Sequence, residues 1–226
     1  MRRILEKLSK GLISIEEAEF SLKTLTISEV ENMAKLDIKR EIRTGIPEII
    51  LGEGKSISQL EDITQKMITD TGKAIISKIE PENANKIKNK FKDFPIEEHI
   101  DAKIVIIRNS PNQPTKINGK VGILSAGTAD IPIAEEAKII LNEMGYKVIT
   151  EYDVGVAGIQ RLLPAINKMI NMKVDVIIAV AGREGALPTV IAGLVDIPII
   201  GVPTSVGYGF GGKGTSALMS MLQSCS

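Results

Sequence analysis

Cysteine occurs once in this chain, at position 225, so no internal disulfide can form and a reducing, cytoplasmic setting is expected. Tryptophan is missing, and three tyrosines and four phenylalanines are too few for a base-stacking platform. Neither sign of charge is in excess, with 28 basic against 28 acidic side chains. The cationic surplus that displaces phosphate counterions is therefore lacking, and no nucleic-acid partner is expected. No stretch approaches the roughly 18 uninterrupted apolar residues of a membrane span, and the basic residues 1–10 lead into no apolar signal segment, so no membrane partner is expected. A single histidine, His99, cannot found a zinc site or a His-based triad; after Glu97 and Glu98 it reads as a surface residue. What the chain does have is apolar material, 43% of 226 residues, enough for one large or two small cores.

The two halves read differently. Residues 1–108 are charged, and Ser14-x-x-Glu17 and Ser58-x-x-Glu61 have the spacing of capping boxes. Segments 47–51, 74–79 and 103–108 read as strands, giving a small α/β domain preceded by helices. Residues 109–119, rich in Asn, Pro and Gly, read as a linker. From 120 to 226 strand and helix alternate: strands at 121–124, 147–150, 174–180 and 198–202, helices at 132–144, 160–171, 187–194 and 215–223. Gly145 is expected to end the first of these helices in a left-handed cap. The nearly continuous apolar run at 174–180 suits a strand buried on both faces of a parallel sheet. The expected fold class is α/β, a flavodoxin-like three-layer domain behind a smaller one.

In such a sheet ligands bind beyond the carboxyl ends of the strands, which singles out four loops. In the first, Ser125, Ala126, Gly127 and Thr128 are small enough to let backbone amides approach an anion at a helix start, and Asp130 could hold a ribose, carry a proton or simply cap the helix. In the second, Gly155 precedes Gln160 and Arg161; a cation at a helix start is electrostatically awkward, and either an anionic ligand or plain solvent would relieve it. In the third, Gly182 and Gly185 flank Glu184, whose carboxylate would gain proton affinity if desolvated or could serve as a helix cap. In the fourth, Thr204, Ser205 and Gly207 lead into five glycines within residues 207–214, a loop able to close over a ligand. Lys213 lacks the spacing of a Walker loop. Cys225 follows the last helix and is either an inert small hydrophobe or a nucleophile.

Taken in order, Ser-Ala-Gly-Thr-Ala-Asp130, Asp153-Val-Gly-Val-Ala-Gly158, Glu184-Gly-Ala-Leu-Pro188 and Gly201-Val-Pro-Thr-Ser-Val-Gly-Tyr-Gly209 resemble the nickel-pincer cofactor biosynthesis carboxylases. That family serves lactate racemase maturation and is related to aminoimidazole ribonucleotide carboxylase. Leu36-Asp37, Arg40, Arg43, Gly45, Pro47-Glu48, Leu51-Gly52 and Gly54-Lys55 resemble its leader domain, so the likeness runs from about Leu36 onward.

The resemblance implies a carboxylase and hydrolase, a pyridinium-3,5-biscarboxylic acid mononucleotide synthase. It carboxylates nicotinic acid adenine dinucleotide at C5 with CO2 or bicarbonate and cleaves the phosphoanhydride to release AMP. It implies Cys225 as the nucleophile that makes C5 reactive, Glu184 or Asp130 as the proton acceptor, and Thr204, Ser205 and Gly207 beside the ligand. It implies no organic cofactor. Magnesium on the pyrophosphate is expected, although no ligand set can be read. A homo-oligomer is expected too, since the related carboxylases are octamers.

Three features depart from the family pattern. Gln160 precedes Arg161 where the related pattern has His, which weakens acid–base chemistry there. Arg183 stands at a usually apolar position and is suited to attract an anion. Family members continue past residue 226, and a thiol beside a free terminus is expected to fray, so a truncated chain or impaired activity is expected. Two other readings compete. A purine-pathway carboxylase or mutase acting on aminoimidazole ribonucleotide would share the first and third loops, but it typically carries Ser-Ala-His-Arg-Thr-Pro in the second and needs no Cys225. A non-catalytic nucleotide-binding homologue would keep the cleft alone.

Overall fold

The computed structural model describes residues 2–24, 28–30, 34–110, 114, 116–207, 209 and 211–225. It divides into two compact units between residues 112 and 113, with 100–102 grouped with the second.

The first unit runs α1 (Arg2–Ser9), α2 (Ile15–Thr24), β1 (Ser28–Val30), β2 (Ala34–Leu36), α3 (Arg40–Thr44), β3 (Ile49–Leu51), α4 (Ile57–Thr71), β4 (Lys73–Ser77), α5 (Pro81–Lys90), β5 (Ile96–His99) and β6 (Ile104–Arg108). Strands β1 and β2 form an antiparallel pair, and the other four make a mixed sheet in the order β3-β4-β6-β5. Only β3 and β4 run parallel there. Leu60, Ile63, Met67 and Ile68 recur at helical spacing on α4 and pack with Ile76, Ile87, Val105 and Ile107 into one core.

The expected cap at Ser14 is present: its hydroxyl accepts the Glu17 N–H at 3.1 Å, and Glu17 accepts the Ser14 N–H at 2.9 Å. The box expected from Ser58 and Glu61 instead lies two residues earlier. Ser56 Oγ accepts the Gln59 N–H at 3.3 Å and Gln59 Oε1 accepts the Ser56 N–H at 2.9 Å. Glutamine serves the return bond as well as glutamate, and Ser58 lies inside the first helical turn.

The second unit runs β7 (Lys120–Ser125), a 3₁₀ turn (Thr128–Asp130), α6 (Ile131–Glu143), β8 (Lys147–Glu151), a second 3₁₀ turn (Val156–Gly158), α7 (Ile159–Met172), β9 (Val176–Ala181), α8 (Leu187–Ala192), β10 (Ile199–Pro203) and α9 (Thr215–Leu222). Its four strands are all parallel, in the order β8-β7-β9-β10. The residues alternate faces. Leu124, Ile177 and Ala179 pack with Leu162, Ala165, Ile166 and Met169 of α7 and with Leu187 and Ile191 of α8. Val121, Ile123 and Val180 pack with Ala134 of α6. Helices on both faces make a flavodoxin-like, three-layer α/β domain. Each large side chain sealed in these layers contributes about 1.5–3 kcal/mol. Gly145 ends α6 at φ 87°, the left-handed conformation its position requires.

From β7 the chain steps to β8 on one side and then crosses to β9 on the other. The switch point therefore lies between β7 and β9, where a crevice opens at their carboxyl ends. No helix among the described residues is long and apolar enough to cross a membrane.

Candidate functional site

A cavity of about 470 Å3 occupies that crevice. All four strand-end loops contribute: Ala126, Gly127, Ala129 and Asp130 after β7, Gly155, Val156 and Ala157 after β8, Gly182, Arg183, Glu184, Ala186 and Leu187 after β9, and Val206 and Gly207 after β10. The volume and the mostly apolar, small-residue lining suit a planar organic group with a few polar anchors.

Two glycines make the space. A Cβ at Gly155 would lie 2.6 Å from the Ala126 carbonyl oxygen, and one at Gly182 would lie 2.1 Å from the Val206 carbonyl oxygen. Backbone stands where a side chain would otherwise be, so all four loops converge on one chamber.

The polar floor is buried. Asp130 is 5% exposed and accepts the Thr204 hydroxyl at 2.7 Å and the Gly127 N–H at 3.0 Å. Thr204 is itself buried, and its N–H donates to Ala181 at 3.0 Å. One carboxylate thus ties the first loop to the fourth across the strand between them. Ser125 is fully buried; its hydroxyl accepts the Asp153 N–H at 3.3 Å and its carbonyl accepts the Val154 N–H at 3.0 Å. Its side chain holds the β7 and β8 ends together and does not line the cavity.

The amides expected to cradle an anion across 125–130 are mostly committed. Ala126 donates to Val180, Gly127 to Asp130, and Asp130 back to Gly127. Thr128 and Ala129, at the start of the 3₁₀ turn, have no amide partner among the described residues and remain the pair able to meet an anion.

Glu184 and Arg183 stand exposed at the mouth. The expected desolvation of Glu184 is not provided by this chain's own atoms. Gly185 is buried, at φ 63°, against Ala217 of α9. Ser205 is exposed and Gly207 lines the cavity. Gln160 and Arg161 are exposed in the first turn of α7 and are not among the lining residues. The awkward Arg161 cation is met within the chain: its guanidinium is ion-paired with Asp153, which sits at φ 58° in the preceding loop. No external anion is needed there.

Cys225 is exposed and does not line the cavity. Its neighbour Ser224 accepts the Thr189 hydroxyl of α8 at 2.9 Å and borders a separate cavity between α8, β10 and α9. His99 closes β5 in the first unit. Among the described residues, no group of three or more His, Cys, Asp or Glu side chains could hold a metal ion. Sequence reasoning missed the apolar liners Val156, Leu187 and Val206; large apolar residues inside otherwise small, polar loops were the available signal.

With this geometry in place, known proteins can be set beside it. Residues 27–109 match the LarB/PurE-like N-terminal domain, and residues 120–226 match AIR carboxylase. An uncharacterised protein of Methanocaldococcus jannaschii is 47% identical over 231 aligned positions, which take in all of this chain and 88% of that protein. The chain belongs to that two-domain family. The N5-carboxyaminoimidazole ribonucleotide mutase of the same organism is 36% identical over 102 residues, 45% of this chain and 60% of the mutase. That of Pyrococcus horikoshii is 34% identical over 87 residues, 37% of this chain and 47% of the mutase. The chain thus spans about half of the mutases it resembles, and the AIR carboxylase domain places it in a carboxylase and mutase class of enzymes.

Proposed function

We propose that this chain carboxylates the pyridinium ring of nicotinic acid adenine dinucleotide at C5 and cleaves its phosphoanhydride, giving pyridinium-3,5-biscarboxylic acid mononucleotide and AMP for nickel-pincer cofactor synthesis. The observation that carries this reading is an apolar chamber whose only carboxylates among the described residues are Asp130 and Glu184, in a chain whose other domain is LarB/PurE-like.

A pyridinium ring is electron-poor, so its C5 cannot attack CO2 unaided. Addition of the Cys225 thiolate to a neighbouring ring carbon forms a carbon–sulfur bond and turns the ring into an enamine with a nucleophilic C5. C5 then bonds to CO2, its proton leaves to a base, and the carbon–sulfur pair returns to sulfur as aromaticity is restored. Glu184 suits the base better than Asp130. Both Asp130 oxygens already accept hydrogen bonds, whereas Glu184 has no such partner among the described residues. Asp130 instead fixes the floor. The Thr128 and Ala129 amides face the phosphate nearer the ring, and water takes the phosphoanhydride apart. The homo-oligomer that the resemblance implies would bring a Cys225 from a neighbouring copy to the mouth of the chamber.

The likeness to N5-carboxyaminoimidazole ribonucleotide mutases favours a second reading, in which the same chamber takes aminoimidazole ribonucleotide. Supplying labelled bicarbonate with each nucleotide separates the two. Label retained in a dicarboxylated pyridinium mononucleotide, lost in Glu184→Gln, supports the first reading. Turnover of carboxyaminoimidazole ribonucleotide alone supports the second and refutes the first.

A further inference from the structure

Next to the main chamber lies a second cavity of about 170 Å3 with a polar wall. It shares Arg183, Glu184, Val206 and Gly207 with the chamber, so the two lie side by side along these residues. Its remaining wall brings Lys213 and Ser216. At this size, below the roughly 300 Å3 of a typical small-molecule site, it can hold one group of a ligand whose bulk lies elsewhere.

Two cations, Arg183 and Lys213, and one carboxylate, Glu184, line this annex. Both cations sit in the left-handed backbone region, at φ 51° and 60°. Residues with a Cβ stay there only where their surroundings fix them. The Arg183 N–H donates to Val206 at 3.2 Å, and Lys213 stands between Gly212 and Gly214 in the loop that leads into α9. The first turn of α9 adds partial positive charge of the same sign. The apolar chamber and the cationic annex therefore divide a ligand between them: a flat, weakly polar ring on one side and an anionic group on the other.

The geometry points to the annex as the seat of a second phosphate, the one carried by the adenylate half of a dinucleotide. This assignment rests on the pyridinium dinucleotide reading above. It makes Arg183 and Lys213 the residues that distinguish a dinucleotide from a mononucleotide, and it holds the bridging anhydride between the annex and the Thr128 and Ala129 amides. A guanidinium and an ammonium on one phosphoryl group give charge-assisted bonds, and the loss of either is expected to weaken binding about ten-fold.

The test is calorimetric titration of the full chain with two probes, AMP and nicotinic acid mononucleotide. Arg183→Gly and Lys213→Gly remove each charge where glycine suits the backbone better than the native residue, so misfolding does not cloud the result. Each variant is expected to bind AMP about ten-fold more weakly, and Lys213→Gly, which lies outside the main chamber lining, is expected to change affinity for nicotinic acid mononucleotide less than about two-fold. Unchanged AMP affinity in both variants, equal losses for the two probes in Lys213→Gly, or no AMP binding by the native chain would each overturn the assignment. AMP binding that responds to both substitutions in a chain that incorporates no bicarbonate would leave the annex standing and count against the carboxylation reading alone.

Discussion

Replacing Gly182 by alanine tests whether the chamber is built by backbone approach. The new Cβ would stand 2.1 Å from the Val206 carbonyl oxygen and 2.7 Å from the Thr204 hydroxyl. Reaching even 3.0 Å requires the carbonyl to retreat by 0.9 Å or more. That carbonyl accepts the Arg183 N–H at 3.2 Å, and the Thr204 hydroxyl donates to buried Asp130 at 2.7 Å, so the retreat strains two hydrogen bonds as well as the packing. Overpacking of this kind costs about 1–3 kcal/mol and a lost hydrogen bond about 1 more, for a total of about 2–4 kcal/mol. In a chain of this length that corresponds to a fall in melting temperature of about 5–15 °C. Urea unfolding and nucleotide titration of the variant beside the native chain measure both consequences. A variant within about 0.5 kcal/mol of the native chain, with nucleotide affinity intact, would refute the reasoning.

Three further outcomes follow from the geometry. Thr204→Val keeps the side-chain shape but leaves the buried Asp130 carboxylate one donor short, and is expected to lose about 1.5–3 kcal/mol in urea unfolding; an unchanged midpoint would mean that the pair holds nothing together. Ser56→Ala removes the hydroxyl that caps α4 and is expected to cost about 1 kcal/mol, whereas Ser58→Ala costs less than about 0.5, an order that unfolding midpoints can reverse. The Tyr152 phenol is pushed up from 10 to about 12, first by burial and then by its hydrogen bond to Glu135. The unfolded chain ionises this group first, so its contribution is complete below pH 10 and is lost as the pH rises towards 12. Tyr152→Phe is expected to flatten the fall in stability over that window, and parallel slopes would contradict the assignment.

The strand-end loops of the second unit were legible because a parallel sheet buried on both faces writes its strands as apolar runs and its binding loops as small residues. Val176–Ala181 and the 125–130 segment announce themselves in this way. The first unit was harder to read. Strand β5, Ile-Glu-Glu-His, is an edge strand with two exposed glutamates, and nothing in that short polar run signals pairing with β6. The cap of α4 was misplaced because two serines stand two residues apart, each followed three positions later by an acceptor. Arg161 looked unmatched because its partner Asp153 lies eight residues back, turned towards it by a left-handed backbone that sequence spacing does not reveal. The burial of Asp130 under Thr204, 74 positions away, depends on the sheet order and on no local pattern.

The central claim is that sulfur bonds transiently to the ring. Mixing the full chain with nicotinic acid adenine dinucleotide in the absence of bicarbonate, and following the near-ultraviolet band of a dihydropyridine together with intact-protein mass, tests it most directly. The account predicts an adduct that maps to the Cys225 peptide, is absent from Cys225→Ala and decays when bicarbonate is supplied. Carboxylated product formed by Cys225→Ala at the native rate would contradict it.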